Sequence, residues 1–327
     1  MKREVKKKNV WLFCCILTVC MLFLCACGGN DSEKSIRVGS LKGPTTIGIV
    51  NYMNDCETAG NSSVSFDMEV AADTLATKLL QGELDIVMVP SNVAANLYAK
   101  TGGKIRVLDI NTLGVLYLVS GDNTVTDIAS LKGKTVYLTG MGTTPDYVLQ
   151  SLLDYYQIGD NEVTLEYKSE PTEVAALLSE NPDCIGLLPQ PFVTALLMKN
   201  ENLGIVADMN DMWEQTGKGS IVTGVTICTE EYLNNNKDAV DEFIEEHAKS
   251  AETAVTDISG TADLIVKYGI IENSEVAENA ILKCGTTCIS GDETAGVLNP
   301  YLNALYEINP EFVGGELPGN DFYYIPE

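Results

Sequence analysis

The chain has 327 residues, of which 45% are hydrophobic, and its 21 Lys and Arg stand against 46 Asp and Glu for a formal net charge of −25. That length is enough for two lobes of ordinary size. The acidity argues against nucleic acid or an anionic membrane surface as partner and reads as a solvated acidic exterior, and the absence of a Gly-x-x-x-x-Gly-Lys-Ser/Thr loop excludes nucleotide hydrolysis by that route.

The first element in chain order is a leader. Lys2, Arg3, Lys6, Lys7 and Lys8 give a positive start, residues 10–25 are almost uninterruptedly apolar, and Leu24-Cys25-Ala26-Cys27 closes the run before polar sequence begins at Asn30. This is the layout of a secretory signal peptide over 1–26, and the run falls short of the ~20 residues a membrane span needs. Its end resembles a bacterial lipobox. The resemblance implies a diacylglycerol thioether on Cys27, because two acyl chains anchor stably where one binds marginally, and a lipid-anchored linker over 27–35. Cys14, Cys15, Cys20 and Cys25 also belong to the leader, leaving Cys56, Cys184, Cys228, Cys284 and Cys288 beyond it. Cys284-Gly-Thr-Thr-Cys288 either closes a small disulfide loop or leaves two free thiols. Zinc is not expected there, since the spacing stands alone with no histidine near it in sequence.

Next comes a duplicated unit at an offset of 98. Val38 answers to Val136, Thr45-Thr46 to Thr143-Thr144, Leu79-Leu80 to Leu177-Leu178 and Asp85 to Asp183, and after a one-residue slip Val89-Pro90-Ser91 aligns with Leu188-Pro189-Gln190. Each copy starts with a short β-rich run (36–39; 135–138) that ends in a Gly/Thr-rich loop. A helix follows, with a proline suited to its first turn, Pro44 or Pro145. Alternating residues predict a second strand through Val64, Phe66, Met68 and Val70 in one copy and Val163, Leu165 and Tyr167 in the other. An amphipathic helix (73–81; 172–179) comes next, with Gly82 as a C-cap in the first copy. A buried strand (85–90; 183–189) closes the unit. Strands alternating with helices predict parallel sheets covered on both faces.

Between the copies, 91–100 reads as a helix and 114–119 as an apolar strand. Residues 208–226, with Trp213 and three glycines, read as a loop returning to the first unit, and helices are predicted over 237–255, 262–267, 276–284 and 293–305. The fold class is therefore α/β, with two Rossmann-like lobes joined by two crossover segments: lobe 1 is discontinuous, 36–113 with 221–327, and lobe 2 is 114–220.

The early strand with its Gly-Pro-Thr-Thr loop, the Leu-Leu-Gln-Gly-Glu-Leu-Asp-Ile-Val-Met-Val-Pro stretch ending at Pro90, and the lipobox together resemble the substrate-binding proteins of ABC importers. The likeness is to the group that takes nitrate, sulfonates, taurine and thiamine precursors. It implies the periplasmic-binding-protein type II fold, no cofactor, a small-molecule solute and ABC permease subunits as partners, attachment to the membrane through Cys27, and a place on the extracytoplasmic face of the cell membrane. An enzyme on the same scaffold and a surface sensor lipoprotein are the alternatives.

In open α/β sheets, ligands bind beyond the C-terminal ends of the strands, where helix-start N–H groups and threonine hydroxyls can hold polar atoms. Position then names Lys42, Thr45, Thr46, Ser91 and Asn92 in lobe 1, Thr139, Thr143, Thr144 and Gln190 in lobe 2, and Trp213 on the return segment. Helix capping is the competing role for the threonines and Ser91, core packing for Trp213. Arg37 and Arg106, the two arginines beyond the leader, sit at strands rather than in the loops. Asp146, in the first turn of a helix, would repel an anion there. The solute is accordingly expected to be neutral or weakly charged, such as a pyrimidine. No catalytic residue is assigned: the single histidine, His247, follows Glu245-Glu246 and reads as a solvent-exposed helical residue, with no clustered cysteine.

Overall fold

The computed structural model describes residues 35–159 and 161–326; the leader and the lipidation call at Cys27 lie outside them. Eleven strands are described: β1 Ile36–Leu41, β2 Val64–Glu69, β3 Ile86–Pro90, β4 Ile105–Thr112, β5 Leu116–Ser120, β6 Thr135–Thr139, β7 Thr164–Lys168, β8 Ile185–Pro189, β9 Gly204–Asp208, β10 Gly224–Thr229 and β11 Thr286–Ser290. They form a six-stranded sheet in the order β11-β4-β10-β3-β1-β2 and a five-stranded sheet in the order β7-β6-β8-β5-β9.

The duplication is visible in the pairing. β1 lies parallel between β2 and β3, and β6 lies parallel between β7 and β8. The equivalent residues Val38 and Val136 hold equivalent places: Val38 is opposite Phe66 and Ile86, Val136 opposite Leu165 and Ile185. Each parallel trio then meets one antiparallel strand delivered by a crossover, β10 beside β3 and β5 beside β8. Covered on both faces, the two closing strands run as unbroken apolar sequence; Ile86 to Val89 and Ile185, Leu187 and Leu188 are buried throughout. Asp85 and Asp183 diverge. Arg37 grips the Asp85 carboxylate at 2.9 and 2.7 Å, whereas Asp183 is exposed and Thr135 occupies the place that corresponds to Arg37.

Helices begin where the sequence put prolines. Pro44 opens Pro44–Ile47, Pro171 opens Pro171–Glu180, and Pro145 sits in the first turn of Thr144–Tyr155. Ring-fixed φ suits that position, and the missing N–H would have had no partner there. The first helix of the first copy is broken, with a second piece at Val50–Ala59. Gly82 takes the left-handed conformation just after Ala72–Leu80, φ 68°, as a helix stop requires. The stretch read as a loop over 208–226 holds the helix Met209–Glu214, whose first turn is capped by Asp208 Oδ1 accepting from Asn210 N at 2.9 Å, and the start of β10. Strands β4, β9 and β11 also form outside the duplicated pattern. The C-terminal helix Asp292–Ile308 buries Leu298, Tyr301, Leu302 and Leu305, and Phe312 beyond it stacks on Tyr147 with ring centroids 3.4 Å apart. Phe312 thus packs on a helix of the five-stranded sheet, whereas further on Tyr324 N donates to Val107 O of β4 in the six-stranded sheet at 2.9 Å. Among the described residues, no helix is long and apolar enough to cross a membrane.

Candidate functional site

A cavity of about 480 Å³ opens where loops at the strand ends of both sheets meet. The six-stranded sheet contributes Leu41 and Lys42 at the end of β1, Pro44 and Thr45 of the following helix, and Pro90 at the end of β3. The five-stranded sheet contributes Leu116 at the start of β5, Thr144 and Pro145 after β6, Glu170 and Pro171 after β7, and Pro189 and Gln190 at the end of β8. Six of the lining residues are prolines, joined by Val115, Phe192 and Ile270. The wall is therefore mainly apolar, with a single cation, Lys42, and a single anion, Glu170, from opposite sheets.

Four sequence candidates line this cavity: Lys42, Thr45, Thr144 and Gln190. Lys42 is exposed and forms no ion pair among the described residues. Thr45 Oγ1 donates to Leu41 O at 2.6 Å, so its hydroxyl ties the turn to the end of β1. Gln190 is fully buried; its Oε1 accepts from Thr194 N at 3.2 Å and Thr194 Oγ1 at 2.8 Å, while its Nε2 has no hydrogen-bond partner. Thr223, at the entry to β10, also lines the cavity and has an unpartnered buried Oγ1.

The other candidates stand off the cavity wall. Thr46 Oγ1 donates to Leu41 O at 2.7 Å and lies 2.9 Å from Ser40 Oγ, fully buried. Ser91 is buried with its hydroxyl donating to Val222 O. The Asn92 carbonyl accepts from Asn96 Nδ2 at 2.8 Å. Thr139 is buried at the end of β6. Thr143 is exposed, and its Oγ1 donates to Gly140 O at 2.7 Å. Gly140 takes φ 73°, and a Cβ there would stand 2.3 Å from Thr143 Oγ1, so this turn closes only with glycine. Trp213 is a core residue: fully buried, it meets Tyr301 edge-on at 5.7 Å. The two Thr-Thr pairs therefore present different members to the cavity, Thr45 and Thr144. In one copy proline precedes the lining threonine; in the other it follows.

The charges expected to decide the solute are already engaged. Asp146 is buried and accepts from Gly142 N at 2.8 Å, Gln150 Nε2 at 2.5 Å and Tyr167 Oη at 2.6 Å, so it does not confront the cavity. Arg37 is held by Asp85, whose hydrogen bonds raise the guanidinium pKa further, and Arg106 by Glu230.

The reading of His247 is corrected. It is fully buried, because residues 240, 243, 244, 247, 251 and 254 of the helix Lys237–Thr256 form one helical stripe that packs inward. Its Nδ1 donates to Asp109 Oδ2 of β4 at 3.0 Å and lies 3.6 Å from Cys288 Sγ of β11. A histidine thus does stand beside a cysteine of the Cys284-x-x-x-Cys288 pair, through the fold and not the sequence. Thr226 Oγ1 donates to Asp109 Oδ1 at 2.7 Å, and Asn111 Nδ2 donates to Thr226 Oγ1 at 3.2 Å. Cys284 and Cys288 are both free thiols. Burial, and then the Asp109 charge, push the Cys288 thiol well above its usual pKa. His247 Nε2 has no partner.

Residues 105–257 match the family model described as NMT1/THI5 like. No curated protein sequence matches the chain. Among solved structures, an ABC transporter from Parabacteroides distasonis is 26% identical with a TM-score of 0.74, over 90% of this chain and 99% of that one. The periplasmic aliphatic sulphonate binding protein SsuA from Escherichia coli is 14% identical with a TM-score of 0.73, over 90% of this chain and 93% of that one. A Candida albicans protein described as having the generic periplasmic binding protein fold is 13% identical with a TM-score of 0.60, over 90% and 97%. The periplasmic-binding-protein fold that the resemblance implied is thus the fold of this chain.

Proposed function

We propose that this protein is the extracytoplasmic solute receptor of an ABC-type importer. In this reading, 36–113 with 221–327 and 114–220 act as two lobes that close on one small molecule, and the closed form is presented to permease subunits. Lipidation of Cys27 retains the receptor at the membrane. The carrying observation is Gln190, whose Nε2 is a buried amide donor without a partner, on a residue that lines a cavity built by both copies of the repeat. An unmade buried hydrogen bond costs about 1–3 kcal/mol, and a bound acceptor atom removes that cost. Thr223 Oγ1 supplies a second polar point, and Lys42, Thr45 and Thr144 line the entrance turns. Thr46, Ser91 and Thr143 give their hydroxyls to backbone carbonyls, and with Asn92 and Thr139 they stand off the wall rather than touch solute. Prolines and Phe192 suit a flat, weakly charged body, such as a heteroaromatic ring bearing a carbonyl, over a strongly hydrated anion. No catalytic role is assigned to any residue of the cavity.

The test is a thermal-shift and calorimetric panel of pyrimidines and alkanesulfonates with the purified protein. A pyrimidine-like ligand at 100 times its dissociation constant is expected to add about 2.7 kcal/mol of stability, with no turnover. Tight sulfonate binding with no pyrimidine response overturns the solute class. Chemical consumption of a bound ligand overturns the receptor reading. Loss of fatty-acid labelling in Cys27→Ala is the matching result for the anchor.

A further inference from the structure

We propose that Asp109, His247 and Cys288 form a binding site for a divalent transition-metal ion, zinc in the first place, at the β11–β4 edge of the six-stranded sheet and off the wall of the solute cavity.

The three residues come from β4, the helix Lys237–Thr256 and β11, yet each brings one possible ligand atom to within 4.8 Å of the other two. Bonds of about 2.0–2.3 Å in a tetrahedral shell separate donor atoms by about 3.3–3.8 Å. The Sγ to Nδ1 distance, 3.6 Å, already falls there, and the 3.0 Å between Nδ1 and Oδ2 must open by only a few tenths.

The same geometry argues against the other use of this trio. A nucleophilic relay needs the thiol and the carboxylate on opposite ring nitrogens, so that the imidazole can take a proton from one while the other orients it. Here both face Nδ1, and Nε2 faces away without a partner. Three donors converging on one point instead describe a coordination shell.

The donor set carries the choice of ion. Thiolate, imidazole and carboxylate together suit zinc, cobalt or nickel rather than magnesium or calcium, which take oxygen shells. On binding, the Cys288 thiol proton leaves to solvent and the imidazole proton moves from Nδ1 to Nε2. A dication with one carboxylate and one thiolate is then neutral, as a buried site requires. Metal-bound carboxylates are held from behind by hydrogen bonds, and Asp109 Oδ1 accepts from Thr226 Oγ1, which Asn111 supports in turn. Three protein donors leave a fourth position for water. The site would brace the root of the first crossover: β4 ends at Thr112, and Leu113 N donates to Gly285 O at 2.8 Å, three residues before Cys288.

The test uses the full-length protein freed of metal with chelator and titrated with Co²⁺. The expected result is one equivalent bound with a thiolate-to-cobalt charge-transfer band, displaced by Zn²⁺. Cys288→Ser, nearly isosteric, should abolish the band and remove that equivalent, and Thr226→Val should weaken binding roughly 10- to 100-fold. A band that Cys288→Ser retains, or no equivalent lost, overturns the proposal. If Cys288→Ser does not fold, X-ray absorption on the zinc-loaded wild-type protein decides. One sulfur with nitrogen and oxygen neighbours supports the site; several sulfurs, or none, overturn it. Solute binding plays no part in any of these readouts, so this site and the receptor reading can fail separately.

Discussion

The cavity between the two sheets and the Asp109 cluster both keep polar atoms from water, and they resolve the cost in different ways. In the cluster, imidazole, carboxylate and hydroxyl serve one another at 2.7–3.2 Å. At the cavity, Gln190 Nε2 and Thr223 Oγ1 are buried without a protein partner on residues that line the wall. Buried polar groups are nearly always satisfied; the facing atoms of the cluster meet this within the protein, with the far ring nitrogen His247 Nε2 left unpartnered, while at the cavity a bound solute can supply the missing partners. Where polar groups are orphaned, a ligand is the economical explanation. Where they converge on one point and satisfy each other, structure comes first and any ion is an addition.

That contrast can be broken by removing one group from each side. Asp109→Ala strands Thr226 and His247 together, and should cost about 3 kcal/mol of stability, read by urea unfolding, with solute affinity of the folded fraction unchanged. A loss of affinity instead would tie the cluster to the cavity. Gln190→Leu should act on the solute as well. Calorimetry should show affinity falling about tenfold, or about 1.4 kcal/mol, and ligand-free stability should fall by about 1–2 kcal/mol because Thr194 N and Oγ1 lose their acceptor, Gln190 Oε1. The smallest effect is expected from Lys42→Ala, under about 0.5 kcal/mol in affinity for a neutral solute. A larger drop would sharpen the comparison by showing that the cavity seeks charge as well as a hydrogen-bond acceptor.

Much of the scaffold could be read from local pattern. β3 and β8 announce themselves because strands covered on both faces must be apolar along their length, and Pro44, Pro145 and Gly82 mark helix ends by backbone geometry alone. β4, β10 and β11 escaped because they pair antiparallel with strands remote in the chain; Thr226 pairs with Met88 and Asp109, and no neighbouring residue foretells that. His247 was legible and missed. The spacing Val240, Ile244, His247, Ala251, Ala254 puts it on the apolar stripe, but the adjacent Glu245-Glu246 suggested solvent. Thr223, Val115 and Ile270 carried no signal at all, since a residue that lines a cavity by contact needs no special chemistry.

What the order of amino acids determined by itself was the repeated strand–helix unit, because periodicity and proline or glycine geometry act within a few residues of chain. What only the folded molecule decided was which side chains meet. Gln190 lines a cavity that the other sheet helps to build, Trp213 belongs to the core, and Asp109 reaches across 138 residues to His247. Such meetings follow from the summed packing of both sheets, and no local pattern encodes that sum.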